Sequence, residues 1–272
     1  MSINFKRSRL QTRYEEIIGV SNPEELKLKK AEFKEHVLSS DDVYELSEEL
    51  HEDAQDYFYS GVISFAEGID SIYQHRYSWA TVKLYYSIFY LIRASMACKD
   101  IGLLRNKSMY RIKLLEGEKP YGSDKRNYNS SHEGTINHYK DIFASSDKLL
   151  TNKIEDIDAY AWMQNVREIV NYREVSFLEP NHLSVWNIFA QSVDDGSINQ
   201  LLQIIEEDED YTYCFQEEYA IVGIPIKRML QTIADFSEKG MLNGNCIRRL
   251  GYTKDLVLYN ERSLKIMKQI YN

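Results

Sequence analysis

The chain has 272 residues, a formal net charge of −9 and a pI near 5.3. That length suits one large or two small domains and needs no disulfides or metals for a core, while the acidic balance excludes broad electrostatic attachment to nucleic acid. Three scattered cysteines (Cys98, Cys214, Cys246) form no Cys-x-x-Cys pair and read as buried free thiols of a reducing compartment. The polar, basic start has no signal-like apolar core, and the longest apolar run, residues 84–92, is about half a membrane span. The expectation is a cytoplasmic protein without membrane attachment.

Glycine (12) and proline (4) are scarce and β-branched alternation is rare, which predicts an all-α fold. Lys6, Arg7, Arg9 and Arg13 form a basic N-terminal arm, read as a solvated tail or partner contact. Asn22-Pro23 starts a short helix over 24–37, with Leu26, Ala31 and Phe33 as packing positions. Ser39-Ser40-Asp41 offers caps for a long helix to about residue 72, with a bend expected near Ser60-Gly61. The next helix spans 78–99, and residues 103–131, rich in Gly, Asn, Ser and Lys, read as loop. Short helices follow over 134–143, and caps within 151–158 start a helix reaching about residue 177. Beyond Pro180 come helical segments over 183–192 and 198–205, then an acidic loop over 206–210. Pro225 opens another helix to about residue 239, and a tail helix over 255–271 uses Leu256, Leu258, Leu264, Met267 and Ile270. The organisation expected is an arm and short helix over 1–40, a helical bundle over 41–180 and a helical extension over 181–272.

Two segments stand out. In the helix from Ser78, Trp79, Val82, Tyr86, Phe89 and Tyr90 recur at helical spacing, and Leu84, Ile88, Leu91 and Ser95 fill a second face. A helix apolar nearly all round belongs in the centre of a bundle, so this aromatic stripe reads as core. The second segment, Arg167-Glu168-Ile169-Val170-Asn171-Tyr172-Arg173, is a polar, basic patch on a later helix. A helical wheel puts Met163, Arg167, Asn171 and Glu174 on one face, with Trp162, Val166, Ile169 and Val170 on the buried one. Arg167 is then open to a partner chain or a ligand, or pairs with Glu174 as a structural arginine.

The order Trp79, Tyr85-Tyr86, Phe89-Tyr90, Arg93-Ala94, Gly102, His132-Glu133-Gly134 and the late Arg167-Glu168-Ile169-Val170-Asn171-Tyr172 resembles the HEPN superfamily over roughly residues 45–178. The resemblance implies an all-helical, usually dimeric protein. Many relatives are metal-independent ribonucleases carrying Arg-x(4–6)-His on the last core helix. Arginine holds a phosphate bidentately, and an imidazole moves the 2′-hydroxyl proton. Arg167 matches that arginine. Tyr172 stands at the histidine offset of five and Arg173 at six, so the motif lacks its helix histidine. On this basis Arg167, Asn171, Tyr172 and His132 are candidate catalytic residues, and Arg173 and Arg126 candidate RNA contacts. A bare arginine-to-histidine match from Arg126 to His132 lies in the Gly/Ser/Asn-rich stretch, where His132-Glu133-Gly134 also reads as a helix cap.

His132 and His138, six apart, do not stack on one helix face, so no metal site is expected. No Walker loop, dinucleotide fingerprint or nucleophile elbow implies a cofactor. The functional expectation is a HEPN-like protein of the prokaryotic toxin or antiphage-defence kind, a candidate RNA-cleaving enzyme. It would act as a homodimer or with a separately encoded partner. A non-catalytic adaptor binding another protein is the alternative, and a small-molecule-binding bundle using the tyrosine-rich interior is a third.

Overall fold

The computed structural model describes residues 7–271 apart from 23, 174–175, 180 and 252–263, and it is predominantly helical. Two long helices dominate, α3 over Ser40–Tyr73 and α4 over Tyr77–Cys98, preceded by α1 (Arg9–Ile17) and α2 (Lys30–Glu35). α3 runs unbroken through Gly61, where the sequence suggests a bend. The glycine there serves close packing, since a Cβ would stand 2.8 Å from the Leu91 side chain. Gly68 does the same one face-repeat later, against Leu84. The chain divides into two compact units, residues 1–57 with 92–142, and residues 58–91 with 143–272.

In the first unit the stretch expected to be loop contains an antiparallel hairpin. β1 (Ile101–Asn106) pairs with β2 (Ser108–Lys113) in a register running from Ile101 opposite Lys113 to Asn106 opposite Ser108. Lys107 makes the turn at φ 64°, and β3 (Tyr121–Gly122) extends the sheet beside β2. The strands escaped the sequence reading because β1 is buried on both faces, which removes the two-residue alternation that marks a half-buried strand. Asp53 accepts the backbone N–H groups of Arg9 (2.9 Å) and Leu10 (3.0 Å), fixing the start of α1. Burial raises the Asp53 carboxyl above its usual range. The basic arm, as far as it is described, is committed within this unit. Arg7 pairs with Glu15, Arg9 with Asp53 and Asp56, and Arg13 with Glu16 and Glu45. α5 (Ser131–Phe143) begins at Ser130, whose hydroxyl accepts the Glu133 N–H at 3.0 Å.

In the second unit, β4 (Lys153–Ile154) and β5 (Ile157–Asp158) form a two-stranded turn. Asp158 then caps α6 (Ala159–Glu168) by accepting the Ala161 N–H at 3.1 Å. α7 (Asn187–Asp194), α8 (Ile198–Glu207), α9 (Glu217–Glu238) and α10 (Gly244–Gly251) follow. Phe58 stacks on Phe236 with ring centroids 4.3 Å apart, and the Trp186 indole N–H donates to Thr81 at 3.0 Å. Pro225 lies inside α9 instead of opening it. An internal proline costs a helix about 3 kcal/mol. Ile221, Val222, Ile224, Ile226 and Met229, all fully buried around it, each contribute roughly 1.5–3 kcal/mol on burial and outweigh the break. The tail ends in a helix over Lys265–Tyr271, whose first N–H groups (Lys265 and Ile266) are accepted by Glu206 at 2.9 and 2.6 Å. Leu264 and Ile270 are buried as expected, whereas Leu256, Leu258 and the Met267 side chain lie outside the described residues.

Candidate functional site

α6 turns its apolar stripe inward, burying Trp162, Met163, Val166 and then Val170. Met163 therefore does not share an open face with Arg167. Past Glu168 the helix does not continue to residue 177 in α form but widens into a π-helical turn over Ile169–Arg173. Such turns are rare and recur at functional sites. The widening has a direct consequence. In an α-helix a residue five positions on points about 140° away, whereas i→i+5 bonding brings it back over its predecessor. Tyr172 thereby reaches Arg167, with its hydroxyl 3.4 Å from Nη2 and its ring centroid 5.1 Å from the guanidinium carbon.

α4 supplies the other wall. Arg167 Nη2 donates to the Tyr86 hydroxyl at 3.2 Å, and the guanidinium lies 5.3 and 5.6 Å from the ring centroids of Tyr85 and Tyr86. Far from facing solvent as the helical wheel implies, Arg167 is only 6% exposed. Burial draws its pKa down, but the Tyr86 hydrogen bond and the surrounding phenols carry it above the ordinary value, so the group stays charged. Its Nε is buried with no hydrogen-bond partner. No carboxylate among the described residues pairs with it, and Glu174, the expected partner, lies outside them. A desolvated cation held only by three phenols is unusual, because buried charges are ordinarily paired.

Of the other predicted residues, half-buried Asn171 and exposed Arg173 share the π turn with Tyr172. Arg126 and His132 belong to the other unit. There Arg126 is exposed in a short 3-10 turn, and His132 is half-buried in the first turn of α5. The elements after His132 have packing reasons of their own. Glu133 and Ser130 hydrogen-bond each other at the helix start, and a Cβ on Gly134 would stand 2.9 Å from the Tyr128 carbonyl oxygen. Sequence reasoning missed Tyr85 and Tyr86 as partners of Arg167. The adjacent tyrosines of α4 were the available signal.

The same reasoning missed a second buried arginine, built quite differently. Arg228 on α9 is 1% exposed and lies 3.5 Å from Asp147 and 3.5 Å from Asp235. Asp147 also accepts from the Tyr160 hydroxyl, from Gln231 at 2.8 Å and from the Leu149 N–H at 2.8 Å. The cation is countered there by two carboxylates and the Asp147 oxygens accept several donors, which marks a structural network. Burial pushes the Cys214 and Cys246 thiols up to about 12 and about 11, the state of inert core cysteines.

Among the described residues no cluster of three His, Cys, Asp or Glu side chains is placed to hold a metal ion, and no helix is long and apolar enough to cross a membrane. Neither family models, nor characterised proteins, nor solved structures give a match to the chain.

Proposed function

We propose that this chain is a HEPN-like protein of the prokaryotic toxin or antiphage-defence kind, acting on RNA at Arg167 as a dimer or with a separately encoded partner. One observation carries the reading: the Arg167 guanidinium is buried without a counter-charge among the described residues and keeps an unpartnered Nε. A phosphate entering beside it would supply the missing anion and bring acceptors for a charge-assisted, two-pronged contact. Asn171 and Tyr172, on the same turn, would orient the phosphate, and exposed Arg173 would meet a neighbouring one. Metal-independent cleavage further needs a group to take the 2′-hydroxyl proton, the role that the resemblance gives to a histidine where this chain has Tyr172. The defence setting rests on the family resemblance.

Cleavage of RNA by the purified protein in EDTA tests the enzyme. The expected result is cleavage by wild type and none by Arg167→Ala. Full activity in Arg167→Ala would overturn the assignment. A second reading, the non-catalytic adaptor, is favoured by Tyr172 standing where the resemblance calls for histidine. In that case the anion beside Arg167 is a partner's carboxylate, and recovery from native cells yields a one-to-one protein complex without RNA.

A further inference from the structure

Between residues 77 and 91, α4 is buried on every position but four: Trp79, Lys83, Tyr86 and Tyr90. Their spacings of four, three and four residues set them on a single line along the helix. Of the stripe read as core from the sequence, Val82 and Phe89 are buried, whereas Trp79, Tyr86 and Tyr90 line the wet edge of this segment. Trp79 is 46% exposed, with Phe177, 38% exposed, packed edge-on against it at 4.9 Å. At the middle of the stripe Tyr86 holds Arg167, beside Tyr172, which is 71% exposed. Tyr90 continues the row, its ring 6.2 Å from that of Tyr86. Along the helix axis Trp79 and Tyr86 are about 10 Å apart.

Resting on the RNA reading, we propose that Trp79 and Tyr172 are base-stacking positions that select single-stranded RNA, flanking the phosphate held at Arg167. The cations fit that occupant. Arg167 has no counter-charge among the described residues, Arg173 is exposed on the turn that follows it, and Lys83 on the stripe is matched by Glu67. Arg167 and Arg173 thus place two cations beside these rings on a chain of net charge −9. Exposed rings interleaved with such cations bind unpaired bases by their faces, largely without regard to sequence. A duplex keeps its bases stacked on one another and offers these rings nothing.

The chain carries its own probe. Of its three tryptophans, Trp162 and Trp186 are buried, so Trp79 is the one exposed indole. The intact protein is titrated with an unstructured oligouridylate, an abasic oligomer of the same backbone, and an RNA duplex. Indole emission and the anisotropy of labelled strands are followed together. The expected result is quenching by the oligouridylate only. Trp79→Ala and Tyr172→Ala should weaken its binding by about tenfold or more each, as the loss of one stacked base does, and leave the abasic strand unaffected. Arg167→Met should weaken both single strands. Equal binding of the base-bearing and abasic strands, with Trp79→Ala unchanged and Arg167→Met impaired, would overturn the stacking assignment while leaving the RNA reading in place. Folded wild type that binds neither strand would overturn the RNA reading, and the stacking assignment with it. A stable dimer whose Trp79 emission is already shielded and insensitive to RNA would overturn it in favour of a second copy of the chain.

Discussion

Among its described residues the second unit contains two buried arginines, and replacing each by methionine should give opposite results. Arg167→Met keeps most of the apolar stem and removes a cation that has no carboxylate partner among the described residues. What is lost is two long hydrogen bonds, 3.2 and 3.4 Å, worth about 1 kcal/mol each, and three cation–ring contacts at 5.1–5.6 Å, about 0.5–1 kcal/mol each. What is relieved is the desolvation of a guanidinium, several kcal/mol. The two nearly cancel, so stability should change by no more than about 1 kcal/mol, a melting shift within roughly 2–4 °C for a chain of this size. Arg228→Met instead strands Asp147, 2% exposed at its side chain, without its cation. Breaking a buried pair from one side costs about 3–5 kcal/mol, on the order of 10 °C. Thermal melts by circular dichroism read both, and repeating them with added phosphate extends the comparison. An anion that binds only the folded site should raise the wild-type melting temperature more than that of Arg167→Met. If Arg167→Met fell as far as Arg228→Met and showed the same phosphate response as wild type, the guanidinium would be a strut and the anion-site reasoning would be wrong.

Gly134→Ala should destabilise by about 1–3 kcal/mol in denaturant melts, because the new methyl meets Met109 and the Tyr128 carbonyl oxygen, whereas His132→Ala should be close to neutral; the reverse order would contradict the packing account of this element. Burial holds the His138 imidazole, which hydrogen-bonds the Met109 carbonyl at 3.1 Å, below its ordinary value of 6.5. The unfolded chain takes up a proton near that value and the folded one does not, so stability should fall as pH drops below about 6.5 and be unaffected by this group above it. His138→Gln should flatten that slope, and an unchanged slope would assign it elsewhere. The buried thiols Cys98, Cys214 and Cys246 should resist a thiol reagent in buffer and react together in denaturant, a result contradicted by rapid labelling of the native protein.

How far these features could be read from the residues depended on the signal each one leaves. α3 and α4 were legible because long helical periodicity without proline has few other readings. The hairpin of β1 and β2 left no alternating pattern, since Ile101, Leu103 and Leu104 are buried alongside Gly102. Pro225 carried a correct local rule, but the burial surrounding it decides the outcome and is a property of the whole unit. Trp79 and Tyr90 count as apolar in any periodicity, so a helix apolar nearly all round conceals which of its edges stays wet. Arg167 was singled out from its motif. Its burial was not legible, because the walls come from Tyr85 and Tyr86, more than eighty positions earlier, and because a π turn has no composition that announces it.

The most direct test of the central claim is retention of labelled single-stranded RNA, its 2′-hydroxyls methylated to block cleavage, by wild type and Arg167→Met at matched melting temperature. The account predicts retention by wild type and its loss in the variant. Equal retention by the two proteins would contradict it.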